Sequence, residues 1–188
     1  MTRVVVVIGT KGPFARLVEG VAAWARAAPD RHAWMQHGDS PLPAGIDGAA
    51  LVPRDALLAK MAEADAVVVH AGSGTIRDAL ALGHAPVVVA RRAARGEHVN
   101  DHQAELVKAL SDRIVACDHP EDPATLERAI DEARARRGQA RELPGEALRR
   151  AVGERLAAQT STPARRTPLV WAVLGWLTRR AAPRRRDP

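Results

Sequence analysis

Residues 66–103 constrain this chain more than any other stretch. They begin Ala66-Val67-Val68-Val69-His70, continue Ala71-Gly72-Ser73-Gly74-Thr75, pass through a helical pattern and reach Ala85-Pro86-Val87-Val88-Val89. A short valine run of this kind predicts a strand buried on both faces, as in parallel sheets. Ile76, Ala79, Leu80 and Gly83 then recur at helical spacing. Gly83 and Pro86 stop that helix, and a second valine strand begins. The unit is βαβ, with its turn at a helix N-terminus.

That turn has chemical value. Ser73 is the expected N-cap. Gly72 and Gly74 carry no Cβ, so a ligand can approach the backbone closely. The free N–H groups and the helix dipole favour a phosphate there. Thr75 and Asp78 are three residues apart and share a helix face, where a ribose would follow the phosphate. Two readings of Asp78 stand side by side: a ribose contact, or a solvated helix residue. His70 ends its strand on the ligand side of the sheet. It is a binding candidate, as a base or a phosphate contact, or else a hydrogen-bonded strand-end histidine.

Length and composition narrow the class. The chain has 188 residues, enough for one domain with a core of its own. Apolar residues make up 46%, yet there is one Phe and no Tyr. The core must therefore be Val, Leu and Ala. Cys117 is the single cysteine, which excludes a disulfide framework and a cysteine zinc site. Thr2-Arg3 leads straight into the apolar residues 4–8, too short for a secretion signal, so a cytoplasmic location is expected. The net charge of +6 belongs to the end of the chain: residues 163–188 hold seven Arg and one Asp. The remainder is balanced, so no nucleic-acid partner is expected.

The rest of the chain supports an α/β reading. Val4-Val5-Val6-Val7-Ile8 reads as a first buried strand, ending at Gly9-Thr10. Phe14, Leu17, Val18, Val21 and Trp24 mark a helix, with Pro13 near its start. Lys11 faces a phosphate or an acceptor as a point charge, or is a solvated loop lysine. Residues 32–37 read as a second strand, 49–53 as a short third and 55–63 as a helix. A loop with Arg91, Arg92 and Arg95 follows the strand at 87–89. Arginines there reach a phosphate or lie in solvent. Asn100 and Gln103 fit a capping box. His98 and His102 straddle that helix start, so no metal pair is expected. Residues 113–117 read as a strand. Asp122-Pro123 is an N-cap and first helical position, opening a helix through Leu126, Ile130 and Ala133. A last helix is expected over 146–159.

The end differs in kind. Residues 160–168 read as a linker. Leu169 to Leu177 is nine uninterrupted apolar residues with arginines on both sides. That is too short to cross a bilayer, which takes about 20 apolar residues. Arginine and tryptophan around a short apolar helix suit a membrane interface, and residues 165–186 are the expected contact. Docking on the domain or on another subunit is the rival reading. The expected division is a domain over 1–160 and a linker with an amphipathic tail over 161–188.

Other motif classes fail. Arg77 stands where a dinucleotide fingerprint needs its third glycine. No GxxxxGK[ST] loop, no Asp-x-Asp pair and no G-x-S-x-G elbow occur. No cofactor and no metal are expected.

His70-Ala71-Gly72-Ser73-Gly74-Thr75, Asp78-Ala79-Leu80, Gly83, Pro86 and Glu97-His98-Val99-Asn100-Asp101-His102-Gln103 together resemble the donor-binding half of glycosyltransferase family 28. The resemblance covers roughly residues 3–130. It implies one Rossmann-like half of a GT-B fold, a parallel sheet with helices on both faces. It implies that the Gly72–Thr75 turn holds the diphosphate of a UDP-sugar, that Asp78 holds the ribose, and that His98, Asp101, His102 and Gln103 face the sugar. Thr10 and Lys11 become phosphate candidates. The family usually has Glu at the Asp78 position, one methylene longer.

In the family the acceptor half comes first and carries the catalytic base; here the donor-type half begins at residue 3. The likeness is to short split transferases, in which a membrane-anchored partner subunit supplies the acceptor site. It implies a subunit bound peripherally to the cytoplasmic face of the membrane, moving sugar from UDP to a lipid-linked acceptor. The alternative is a non-catalytic module that binds a nucleotide sugar and regulates a partner.

Overall fold

A computed structural model of the chain describes residues 1–10 and 12–139. Among the described residues six strands form one parallel sheet: β1 (Thr2–Val7), β2 (Arg31–Gln36), β3 (Asp47–Ala49), β4 (Ala66–His70), β5 (Val87–Val89) and β6 (Val115–Ala116). Their spatial order is β3-β2-β1-β4-β5-β6. β1 lies at the centre, with Val4 opposite Ala66 of β4 and Ala33 of β2. The expected helix over 146–159 and the tail over 161–188 lie outside the described residues, as does the boundary between domain and tail.

Alternation along the strands divides the core in two. Val4, Val6, Ile8, Val68, Val87 and Val89 point to one face, where α1 (Ala15–Arg26) and α5 (Pro123–Ala135) cover them. Val5, Val7, Val67, Val69 and Val88 point to the other, under α2 (Arg54–Glu63), α3 (Ser73–Ala81) and α4 (His102–Ala109). Both faces are thus buried, which is why the strands read as continuous valine rather than alternating residues. The core is not only small aliphatics: Trp24, Phe14, Met35 and Met61 are also fully buried.

Several boundaries differ from the sequence reading. The third strand is Asp47–Ala49, not 49–53. The sixth is only Val115–Ala116 rather than 113–117. Both are edge strands with two or three paired residues, too short to leave a hydrophobic period in the sequence. Gly83 follows α3 with φ +80° and ends it, as expected. Asp122 caps α5, its carboxylate accepting from the Thr125 N–H at 3.1 Å.

Helix α1 packs unusually close to the loop before α5. A Cβ on Gly20 would come within 1.9 Å of the Pro120 carbonyl oxygen. The glycine is what allows that approach.

His84 joins two helix ends. It is 1% exposed, and its Nε2 donates to the Met61 carbonyl at 2.8 Å. Arg137 donates to the Ala64 and Ala62 carbonyls beside it. These contacts add donors to carbonyls at the end of α2, where Met61 also accepts from the Ala64 N–H. Burial lowers the His84 pKa below its usual 6.5; the Met61 bond opposes this and the Arg137 charge adds to it. The fold therefore favours the neutral ring. Its contribution is complete above the unfolded pKa and is lost as pH falls from 6.5 through the lower folded value. His70 is shifted the same way. The melting temperature will thus fall between pH 7.5 and 5, and His84→Gln will flatten part of that slope, as followed by circular dichroism.

Candidate functional site

The connections after β1 and β4 leave the sheet in opposite directions. β1 leads to α1 on one face, and its neighbour β4 leads to α3 on the other. A crevice opens between the ends of two such strands, and ligands of open α/β sheets bind there. Gly9 follows β1 there, and Ala71-Gly72 follows β4.

His70 sits between them. Its Nδ1 lies 3.3 Å from the Val7 carbonyl oxygen. A carbonyl only accepts, so Nδ1 carries a proton and Nε2 is left to the crevice. A Cβ on Gly72 would lie 2.4 Å from Nε2, and one on Gly9 would lie 2.8 Å from it. The imidazole is therefore wedged between two turns that only glycine allows to close around it. Burial pushes the His70 pKa down; the Val7 bond works against this, and the Arg91 charge works with it.

Gly72, not Ser73, is the N-cap of α3. The chain turns one residue earlier than the serine predicts: the Gly72 N–H donates to the His70 carbonyl at 2.7 Å, and the Gly72 carbonyl accepts from Ile76. Ser73 becomes the first helical residue and is exposed with Gly74. No side chain caps α3 and its first turn has no acidic residue. Its first N–H groups have no intrahelical acceptor, so the turn is suited to an anion.

Thr75 and Asp78 follow on the same helix, both partly buried. The Asp78 carboxylate is already paired: Oδ1 accepts from Arg54 Nη2 at 2.8 Å, and Arg77 lies 3.6 Å away. Arg54 was not singled out in the sequence. It is the first residue of α2, and only the packing of α2 beside α3 brings it near.

The loop after β5 adjoins this turn, because β5 pairs with β4 and the Ala71 N–H donates to Val89. Here the sequence reading needs correction. Asn100 and Gln103 do not form a capping box. Helix α4 starts at His102 with Asp101 at its cap and no side-chain cap bond. Gln103 points inward, 6% exposed, and its Oε1 accepts from the Arg91 N–H at 2.9 Å. That bond fixes the carboxamide and leaves its NH₂ as the remaining donor. Asn100 Oδ1 instead contacts His102 Nδ1. His98 and His102 stack edge-on, their ring centres 4.6 Å apart. Asp101 is exposed and accepts from the Ala93 N–H at 2.9 Å.

The three loop arginines are not solvated alike. Arg91 is 3% exposed. It donates to the Pro13 and Gly12 carbonyls at 2.7 and 2.9 Å and covers the Phe14 ring at 4.6 Å. It holds the loop after β1 rather than reaching for a phosphate. Arg92 pairs with Asp118 and Arg95 with Glu121.

Beside Arg91 lies a second buried arginine that sequence reasoning missed. Arg16 grips Glu97 with two bonds, 2.8 and 2.9 Å, and donates to the Asp118 and Ala90 carbonyls. Burial alone would raise the Glu97 pKa. The bonds from Arg16 and the Arg92 N–H, with the Arg16 charge, outweigh it and hold the carboxyl below its usual range. A signal was present: Arg16, Gly20 and Trp24 are four apart and share the buried stripe of α1.

The structure thus brings His70, Gly72, Ser73, Gly74, Thr75 and Asp78 together along one strand end and helix, with Thr10 on the adjoining loop. Gln103 is tied to the neighbouring loop by its bond to Arg91. His98, Asp101 and His102 lie on the segment leading into α4. Lys11 lies outside the described residues.

Residues 48–158 match the glycosyltransferase family 28 C-terminal domain. The chain belongs to that family. Solved glycosyltransferases share the fold. SnogD from Streptomyces nogalater is 21% identical, with TM-score 0.54, covering 83% of this chain and 43% of its own. CalG4, the calicheamicin glycosyltransferase, is 22% identical, with TM-score 0.50, covering 94% of this chain and 44% of its own. The glycotransferase of kitacinnamycin is 22% identical, with TM-score 0.50, covering 79% of this chain and 37% of its own. At such identities the likeness is one of fold: a Rossmann-like half of the GT-B type. This family 28 domain spans less than half the length of those glycosyltransferases. No curated protein matches it. Among the described residues no helix is long and apolar enough to cross a membrane.

Proposed function

We propose that this chain is the donor-binding subunit of a glycosyltransferase that takes sugar from a UDP-sugar. The observation that carries the reading is the strand-end cradle: one imidazole nitrogen between Gly9 and Gly72, beside an uncapped helix N-terminus. The diphosphate takes the first-turn N–H groups of α3, and its charge favours a protonated His70 whose Nε2 then donates to it. Asp78 takes the ribose. Gln103 offers its NH₂ to a sugar hydroxyl, with Asp101, His98 and His102 lining the same end of the loop.

In the reaction an acceptor hydroxyl oxygen bonds to the anomeric carbon as the bond from that carbon to the UDP oxygen breaks. Negative charge grows on the leaving diphosphate, where the turn and helix dipole stabilise it. The acceptor proton goes to a base on a partner subunit that supplies the acceptor site. The seven arginines and nine apolar residues of the tail support attachment to an anionic, cytoplasmic membrane face, where a lipid-linked acceptor resides. No metal is needed in this scheme.

Calorimetric titration of UDP into the full chain tests the reading. Saturable one-to-one binding is expected, weakened about tenfold in Asp78→Ala, which removes a charge-assisted bond. No saturation at millimolar UDP would overturn it.

A further inference from the structure

The donor reading leaves Asp78 short of its task. Its side chain has a single methylene, so its carboxylate stays close to the α3 backbone. It also arrives with Oδ1 occupied, at 2.8 Å from Arg54 Nη2. The partner is well placed to matter. Arg54 opens α2, whose Met61 belongs to the same buried cluster as Ile76 and Leu80 of α3. The Arg54–Asp78 bond thus joins the first turn of α2 to the second turn of α3. The Arg54 side chain remains 62% exposed while Asp78 is 16% exposed. A pair with one partner this exposed contributes little to stability.

Its chemistry does suggest a use. A guanidinium carries five donors and no acceptor, and one of Arg54's is spent on Asp78. Asp78 keeps Oδ2 as an acceptor. A ribose diol offers the complement, since each hydroxyl gives one proton and accepts another. We propose that Arg54 selects for a ribose in the donor site: the Arg54–Asp78 pair binds the ribose diol as a unit. A hydroxyl donates to Asp78 Oδ2 and accepts from Arg54, and the arginine reaches beyond the short acid. The proposal rests on the donor reading and adds a residue to it.

The test compares UDP with 2′,3′-dideoxy-UDP on the full chain by calorimetry. The wild type will prefer UDP by about tenfold or more. Arg54→Ala will lose most of that preference through weaker UDP binding, while dideoxy affinity and melting temperature stay within error. The double variant Arg54→Ala/Asp78→Glu will regain part of the preference, because the longer acid reaches without help. If Arg54→Ala leaves the preference intact, or tightens UDP, the pair is structural or competes with the nucleotide, and the proposal is wrong. If the wild type binds UDP but does not prefer it over the dideoxy form, this proposal and the ribose contact of Asp78 fail, while the diphosphate site stands. If the wild type binds neither, the donor reading fails and takes the proposal with it.

Discussion

Arg16→Met will lower the stability of the domain by about 3 kcal/mol, or on the order of 10 °C in melting temperature. The Arg16 side chain is 7% exposed and that of Glu97 12% exposed. Removing the arginine leaves a carboxylate in place without its counter-charge, which is the costly way to break such a pair. It also strips hydrogen bonds from the Ala90 and Asp118 carbonyls. Replacing both partners, as Arg16→Met/Glu97→Leu, will recover part of the loss, since a buried pair exchanged for apolar groups is often neutral. The Glu97 pKa is depressed in the fold, so the pair contributes fully above the ordinary 4.5 and is lost as pH falls through the lower folded value. The acid limb of the melting curve below pH 4.5 will be shallower in Arg16→Met. A melting temperature within 2 °C of wild type would show that solvent already reaches the pair.

The second large effect concerns binding. Gly72→Val will weaken UDP binding by about 100-fold while the fold persists. Its Cβ would meet His70 Nε2 at 2.4 Å and Cε1 at 2.7 Å, so the ring must leave its place between the two turns. The branched side chain would also screen the first-turn N–H groups of α3. Overpacking at such a contact costs about 1–3 kcal/mol of stability, which a domain of this size survives. Losing two or more hydrogen bonds to a charged group gives the binding loss. Asp131→Ala is the control: it is exposed on α5, on the other face of the sheet, so affinity should change less than threefold. If Gly72→Val binds UDP as well as Asp131→Ala does, the turn is not where the diphosphate sits.

How much of this was legible beforehand follows from what each feature depends on. The β4–α3–β5 unit could be read because it is local. A valine run, a glycine turn and the Gly83 stop each leave a mark at known spacing. The edge strands β3 and β6 could not be read in place, because two or three paired residues make no pattern. The Ser73 cap was misread because the turn closes through the His70 carbonyl rather than a side-chain oxygen. Gln103 was misread because an apparent local motif lost to a bond with Arg91, twelve residues away and buried. Arg91, Arg16 and Arg54 matter through contacts 24 to 102 residues distant along the chain. No local pattern encodes such pairings; the fold creates them.

The central claim is that the crevice between β1 and β4 takes a nucleotide diphosphate. Titrating UDP into the ¹⁵N-labelled full chain and following backbone amide shifts tests it most directly. The account predicts saturable shifts concentrated at Gly9, Thr10 and residues 72–78, with the Arg54 and Gln103 side chains responding at the same midpoint. Shifts centred on the opposite end of the sheet, around Arg3, His32 and Glu63, or no saturable shifts at all, would contradict it.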